Sequence, residues 1–354
     1  MSSFKYNLII GYLKDLGIML MVLCHSETDI PHLQTFVGMF HMPLFFIASG
    51  YCFKEKYLAA PRQYLYNKVR GIYWPYVKWS LLFLLLHNVC FHLHLYSDQY
   101  GWKEYVSHLY TPQEFLHLAK CIVFKMNGHE QLLGGYWFMN ALFFGSLIAW
   151  PVIRYIKSPL IGGGTLLCAC TLLNKTCWHI PYIEISAQAF SAALLIVIGH
   201  GMAKYKVKPF NNWQITLALA VTLVGSFVWN MAMNQDSYSN KRFIPYIITA
   251  TLATWTFYSL FERMKNSQGV CAKMLDFVGK HTLTILTWHF LAFKLVSLVI
   301  IGIYGLQTER LAEFPVITEY AKQGWWVVYF LVAMGVTCGI AYCGKRMKIS
   351  RLHK

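Results

Sequence analysis

The sequence predicts an all-α, polytopic membrane protein of about ten transmembrane helices. Both termini are expected to be cytoplasmic, and residues 1–354 to form a single domain. Three observations predict this. Hydrophobic residues make up 56% of the chain and charged residues only 13%, about half the charged share of a soluble domain. Apolar runs long enough for a roughly 20-residue helical crossing recur along the whole length. The loops between these runs alternate between rich and poor in Lys and Arg.

The first span covers roughly 7–27 and is the least apolar, because Lys14, Asp15 and His25 interrupt it. The second, 36–53, contains "VGMFHMPLFFIASGYCF" with His41 near one end. The third, 72–95, closes on His87, His92 and His94, which read as interfacial histidines rather than a metal site. The stretch 98–134 is the longest hydrophilic segment, too short and too aromatic for a soluble domain. The fourth span, 136–156, opens on Trp137 and Phe138, as an aromatic belt would. The fifth, 159–173, is short; the sixth, seventh and eighth are 186–203, 213–233 and 243–261. The ninth, 281–305, places His289 near mid-bilayer, and the tenth is 325–344. No internal repeat or pair of interrupted helices stands out, which argues against a transporter.

Orientation follows from the cations. Lys54, Lys56, Arg62, Lys68 and Arg70 follow the second span, whereas 28–35 carries none. Counted over the loops and tails, with Lys14 of the first span added, 21 Lys and Arg fall on the side of the termini and 8 on the other. Eleven of the fifteen acids lie on that other side. The net charge of +16 is therefore a topology signal, and nucleic acid is not needed to explain it. The ten cysteines are scattered, mostly in apolar runs and without a CxxC pair, and read as small buried hydrophobes. The N-terminus lacks a secretory signal pattern.

Lys14 and His25 are eleven residues apart, three turns plus about 20° on a helix, so they share one face roughly 16 Å apart along the axis. Ionisable groups inside a membrane face protein or a wet cavity. His41, on the antiparallel second span, falls at a depth similar to His25, with Phe45, Ala48, Ser49 and Cys52 along its face. Small residues there permit close helix approach or leave a narrow channel.

These residues carry a resemblance. A basic residue, ten residues and then His in the first span, followed by "FHMPLFFIASGYCFK", resembles the acyltransferase-3 family of membrane O-acyltransferases, especially its fucose-4-O-acetylase-like branch. "KVRGIYWPY" (68–76), "GYWFMNALF" (135–143) and "LTILTWHFLAF" (283–293) are similar to later family segments. The family's usual first basic residue is Arg; here it is Lys14, which keeps the charge but not the bidentate fork. The resemblance implies a ten-helix core in a bacterial cytoplasmic (inner) membrane. It also implies transfer of an acetyl or other short acyl group from cytoplasmic acyl-CoA to a hydroxyl of an extracytoplasmic glycan or lipid-linked sugar.

That chemistry suits the residues. A sugar hydroxyl needs a base to take its proton, and histidine titrates in the right range. His25 and His41 are the expected catalytic residues, His25 acting as base or as transient nucleophile, with Glu27 and Asp29 able to orient a ring. Lys14, Arg70 and Ser49 are expected at the acetyl-CoA site, and Trp137 and His289 at the acceptor. Neither a metal nor nucleic acid is expected; membrane lipid surrounds the chain. No GxSxG, Walker A or HExxH pattern supports another enzyme class. The alternative is a polar-solute or proton-coupled transporter with His25 and His41 in a relay.

Overall fold

The computed structural model describes residues 7–102, 106–176, 187–229, 240–266 and 269–352. All regular elements among them are helical, with no strand. The helices that matter here are α1 (Leu8–His25), α2 (Leu33–Gly38), α3 (His41–Tyr51), α4 (Pro61–Lys68), α5 (Trp74–His92) and α6 (Pro112–Lys120). They continue with α7 (Trp137–Pro151), α8 (Pro159–Thr176), α9 (Ala187–Lys204), α10 (Asn212–Trp229), α11 (Asn240–Met264), α12 (Val270–Lys280), α13 (Thr282–Tyr304) and α14 (Trp326–Leu352). Among the described residues, six stretches are long and apolar enough to cross a membrane: Leu8–His25, Leu33–Tyr51, Gln131–Ile156, Phe243–Met264, Thr282–Tyr304 and Thr318–Lys345. Pro159–Leu172, Gln188–Lys204 and Asn212–Val228 are apolar but shorter. The protein is thus an all-helical, multi-pass membrane protein. The end of the seventh expected span, 230–233, lies outside the described residues.

Local chemistry sets the helix ends. The side-chain carbonyl of Asn7 accepts from the N–H groups of Ile9 and Ile10 and so caps α1. Gly305, at φ +61°, ends α13 in the left-handed conformation that glycine adopts at little cost. The second expected span is not one helix. It breaks at Met39–Phe40, where Phe40 adopts φ −139°, and Val37 O then accepts from the Phe40 N–H. The His41 ring adds a second donor to that carbonyl, with Nδ1 at 2.9 Å.

The chain divides into two compact units. The first comprises 1–17, 32–76 and 137–279. Its centre is a close meeting of α3 and α9. A β carbon built on Gly50 would lie 1.8 Å from Ile196 O, and one on Gly199 would lie 2.0 Å from Ile47 O. Only paired glycines allow backbones to approach this closely, and van der Waals contact replaces the absent hydrophobic drive between helices in lipid. Gly145 of α7 rests in the same way on Ala189, Ala192 and Ala193 of α9. The start of α1 packs Ile9, Ile10 and Leu13 against Leu44 and Ala48 of α3 and Trp255 and Tyr258 of α11.

The second unit comprises 18–31, 77–136 and 280–354. There α13 and α14 are joined by a Ser297 Oγ to Tyr329 OH hydrogen bond of 2.8 Å. Trp79 and Phe83 of α5 pack on Trp288 of α13. A short strap, Gln131–Tyr136, crosses the start of α13, where Tyr136 OH lies 2.7 Å from Thr287 Oγ1. The opposite faces of α13 and α14 expose Leu298, Val299, Ile303, Val327, Val328 and Leu331, apolar surface of the kind that lipid covers.

Candidate active site

Two histidines 264 residues apart in sequence meet in the second unit. His289 is fully buried on α13. Its Nδ1 lies 3.1 Å from Ile285 O and 3.0 Å from Leu286 O, the carbonyls one turn earlier in the same helix. A ring nitrogen between two carbonyl oxygens must be the N–H donor, so in the neutral imidazole Nε2 holds the lone pair. That Nε2 lies 3.1 Å from His25 Nδ1, with the two rings nearly parallel at 12°. His25 Nδ1 must therefore donate to it. The remaining nitrogen of His25, Nε2, then carries the lone pair. The helix backbone thus fixes the tautomer of His289, and His289 fixes that of His25.

His25 is the last residue of α1 and is half-buried. A half-buried imidazole with a defined lone pair, held by a fully buried partner, has the arrangement of an oriented general base. Phe290 lies against both rings, with centroids 4.8 Å from His25 and 3.9 Å from His289. Ser26, which follows His25, is fully buried and its hydroxyl donates to Leu23 O at 2.7 Å, tying down the end of α1. Of the possible orienters of His25, Glu27 is half-buried with φ +55° and Asp29 is exposed. His289 lies at hydrogen-bond distance from Nδ1.

A second histidine of this unit is arranged differently. His87 is buried, with Nδ1 3.1 Å from the Glu130 carboxyl and Nε2 3.0 Å from His108 O. Tyr110 stacks on its ring at 3.5 Å. His94, in the same stretch, is exposed and lies 4.0 Å from Glu309. Among the described residues, no group of three His, Cys, Asp or Glu is arranged to hold a metal ion.

The remaining expected site residues fall in the first unit. Lys14 is half-buried on α1. Its charge acts on Lys68 of α4, whose ammonium is lowered to about 8 by burial first and by Lys14 second. Arg70 is exposed in the turn 69–73 that follows α4. His41 is half-buried and bonds Val37 O through Nδ1, which leaves its lone pair on Nε2. Ser49 is half-buried, and Ala48 beside it is packed in the core with Ile9, Ile10 and Leu13. The small residues of α3 therefore serve helix packing at Ala48, where the sequence also allowed a channel. Asp15 is fully buried, and neither of its carboxylate oxygens has a hydrogen-bond partner. Trp137 is half-buried at the start of α7, next to Phe138, which packs on Phe45 and Phe46.

Of the residues singled out in the sequence, the structure brings His25 and His289 into contact, and Lys14 close to Lys68. The sequence placed His289 with the acceptor and did not pair it with His25. Phe290 was passed over, and its only signal is its position beside His289 in "TWHFL". Comparison with known proteins adds one result: a family model described as an acyltransferase domain matches residues 7–344. Neither the curated proteins nor the solved structures give a match.

Proposed function

The chain belongs to the acyltransferase-3 family and is a membrane acyltransferase; from that premise we propose that it moves an acetyl group from acetyl-CoA to a hydroxyl of a glycan or lipid-linked sugar, with His25 as the general base. The observation that carries this reading is the tautomer chain from the α13 carbonyls through His289 to His25. His25 Nε2 takes the proton of the acceptor hydroxyl as its oxygen attacks the thioester carbonyl. The positive charge that develops on His25 is shared with His289 through the Nδ1–H to Nε2 hydrogen bond. The CoA thiolate leaves and receives the proton, restoring the neutral pair.

Lys14, Lys68 and Arg70 are the cations proposed to hold the charged end of acetyl-CoA at the cytoplasmic face. The motivating observations are the clustering of Lys14 with Lys68 and the abundance of cations on that side. In this reading the protein sits in a bacterial cytoplasmic membrane with both termini inside and the acceptor outside. The test is transfer of radiolabelled acetyl from acetyl-CoA by purified protein. His25→Ala is expected to lower the rate by about 10²- to 10⁴-fold, while Arg70→Ala raises the KM for acetyl-CoA. Wild-type turnover in the His25 variant would overturn the assignment of the base. The solute-transport alternative gains no observation in its favour.

A further inference from the structure

Two buried polar side chains of the second unit take no part in the chemistry above, and both hold a neighbouring backbone in place. Gln131 is fully buried. Its Oε1 accepts from the Trp102 N–H at 3.0 Å, and its Nε2 donates to Leu95 O at 3.0 Å and to Ala312 O at 3.4 Å. Gly101, before Trp102, has φ +83°, and a β carbon there would lie 2.4 Å from Gln131 Oε1. The turn that presents Trp102 is therefore locked. Lys294 is only 2% exposed on α13, where an ammonium group is costly to bury and usually marks function. Its Nζ donates to the carbonyl of Glu313, the residue before Phe314. The carboxylate of Glu313 is bound in turn by Arg310.

The two aromatic residues next to these anchors touch each other. Trp102 and Phe314 meet edge to face, with centroids 4.9 Å apart. They do so over Gly134, where a β carbon would lie 3.0 Å from both rings. Phe314 reaches Phe290 at 4.6 Å, and Phe290 reaches His25 at 4.8 Å. Trp102 is 39% exposed. An unbroken run of rings thus leads from an accessible indole to the base.

We propose that Trp102 and Phe314 form the platform on which a pyranose ring of the acceptor stacks as its hydroxyl approaches His25, with Gln131 and Lys294 as positioning residues. This rests on the acyl-transfer reading. A pyranose presents C–H groups on its faces and hydroxyls around its edge. The C–H faces suit the negative π face of an aromatic ring, and the hydroxyls stay available for reaction. The competing role for an exposed tryptophan is anchoring at the lipid interface. Such an anchor needs neither a buried amide on its backbone nor ring contact leading to the catalytic pair.

The test uses the full-length protein in detergent, with methyl β-D-glucopyranoside, methyl β-D-galactopyranoside and methyl α-L-rhamnopyranoside as probes. Saturation-transfer NMR is expected to light up the ring C–H protons of at least one glycoside with the wild type and with Trp102→Phe, but not with Trp102→Ala. In turnover with that glycoside, Trp102→Ala raises its KM roughly tenfold, the size of one well-placed aromatic contact, and kcat falls by less than KM rises. Lys294→Met, which leaves the rings intact and removes the donor, raises the same KM. No signal from any glycoside with the wild type overturns the proposal, as does equal signal with wild type and Trp102→Ala. Loss of tryptophan quenching by brominated lipid in Trp102→Ala, with glycoside binding unchanged, assigns the indole to the interface and also overturns it. If instead His25→Ala transfers acetyl like the wild type, the acyl-transfer reading fails. The NMR arm needs no turnover and still decides the platform.

Discussion

His25 with His289 and His87 with Glu130 are two histidine-centred pairs in the same unit, with nearly the same spacing of 3.1 Å between partner atoms. They differ in what faces each ring nitrogen. Around His87, Nε2 donates to His108 O and Nδ1 faces the Glu130 carboxyl, so both ring nitrogens are engaged. No lone pair is left for a reactant, and the side chain is 1% exposed. Along the His25 pair the donors run from His25 to His289 to the helix carbonyls, which places the lone pair of the half-buried His25 ring on Nε2. Burial and pairing alone therefore do not distinguish the two histidines; the direction of their hydrogen bonds does. His87 ties α5 to the segment before the strap, whereas His25 is the histidine proposed to accept a proton.

Several variants can break or sharpen this contrast. The largest effect is expected for His25→Ala, a loss of about 10²- to 10⁴-fold in acetyl transfer with thermal unfolding little changed. Next comes His289→Ala, which removes the acceptor that orients His25. Loss of one such hydrogen bond is worth about 1–3 kcal/mol, or roughly ten- to hundredfold in kcat. His289→Gln can again offer an oxygen to His25 Nδ1 and should recover part of the rate, as steady-state kinetics on both variants would show. His87→Ala should act on stability instead. Breaking a buried pair leaves Glu130 uncompensated and costs about 3–5 kcal/mol, read as a lower melting temperature, while kcat per folded molecule changes far less than in His25→Ala. Equal kinetic damage in the His87 and His25 variants would dissolve the contrast.

The smallest effect concerns α6, outside the spans. Thr111 and Glu114 form a reciprocal cap at its start. The N–H and hydroxyl of Thr111, with His108 as a further partner, hold the Glu114 carboxyl at about 2. Because the folded-state value is lowered, the stabilisation is present above the ordinary glutamate value of about 4.3 and fades as pH falls toward about 2. Glu114→Gln should remove that acid-range component from a melting curve measured against pH and leave the neutral-pH rate unchanged.

The all-helical fold was legible because the spans are written in composition and loop charge, which are local properties. His25 stood out in the sequence as an ionisable group at the end of an apolar run. Its partner was not, because a contact across 264 residues leaves no trace in local spacing. The pairing of His87 with Glu130, 43 residues apart, was hidden for the same reason, and the three histidines of that stretch read as interfacial. The break at Met39–Phe40 was masked by the continuous apolar character of 36–53, since hydropathy does not register a change in φ. Trp102 lies in the hydrophilic stretch 98–134, where one aromatic residue resembles any other, and only its lock by Gln131 sets it apart. The sequence allowed packing or a channel along Ala48, and the packed neighbours Leu13 and Leu44 put Ala48 in the core.

The central claim is that His25 and His289 act as one unit, and a double-mutant cycle tests it most directly. Acetyl transfer from acetyl-CoA would be measured as kcat/KM for wild type, His25→Ala, His289→Ala and the double variant. If His289 works only by orienting His25, removing it from a protein that already lacks His25 costs nothing more. The double variant should then match His25→Ala within a factor of about two. Losses that multiply, so that the double variant falls a further ten- to hundredfold below His25→Ala, would show that His289 acts independently and would contradict the account.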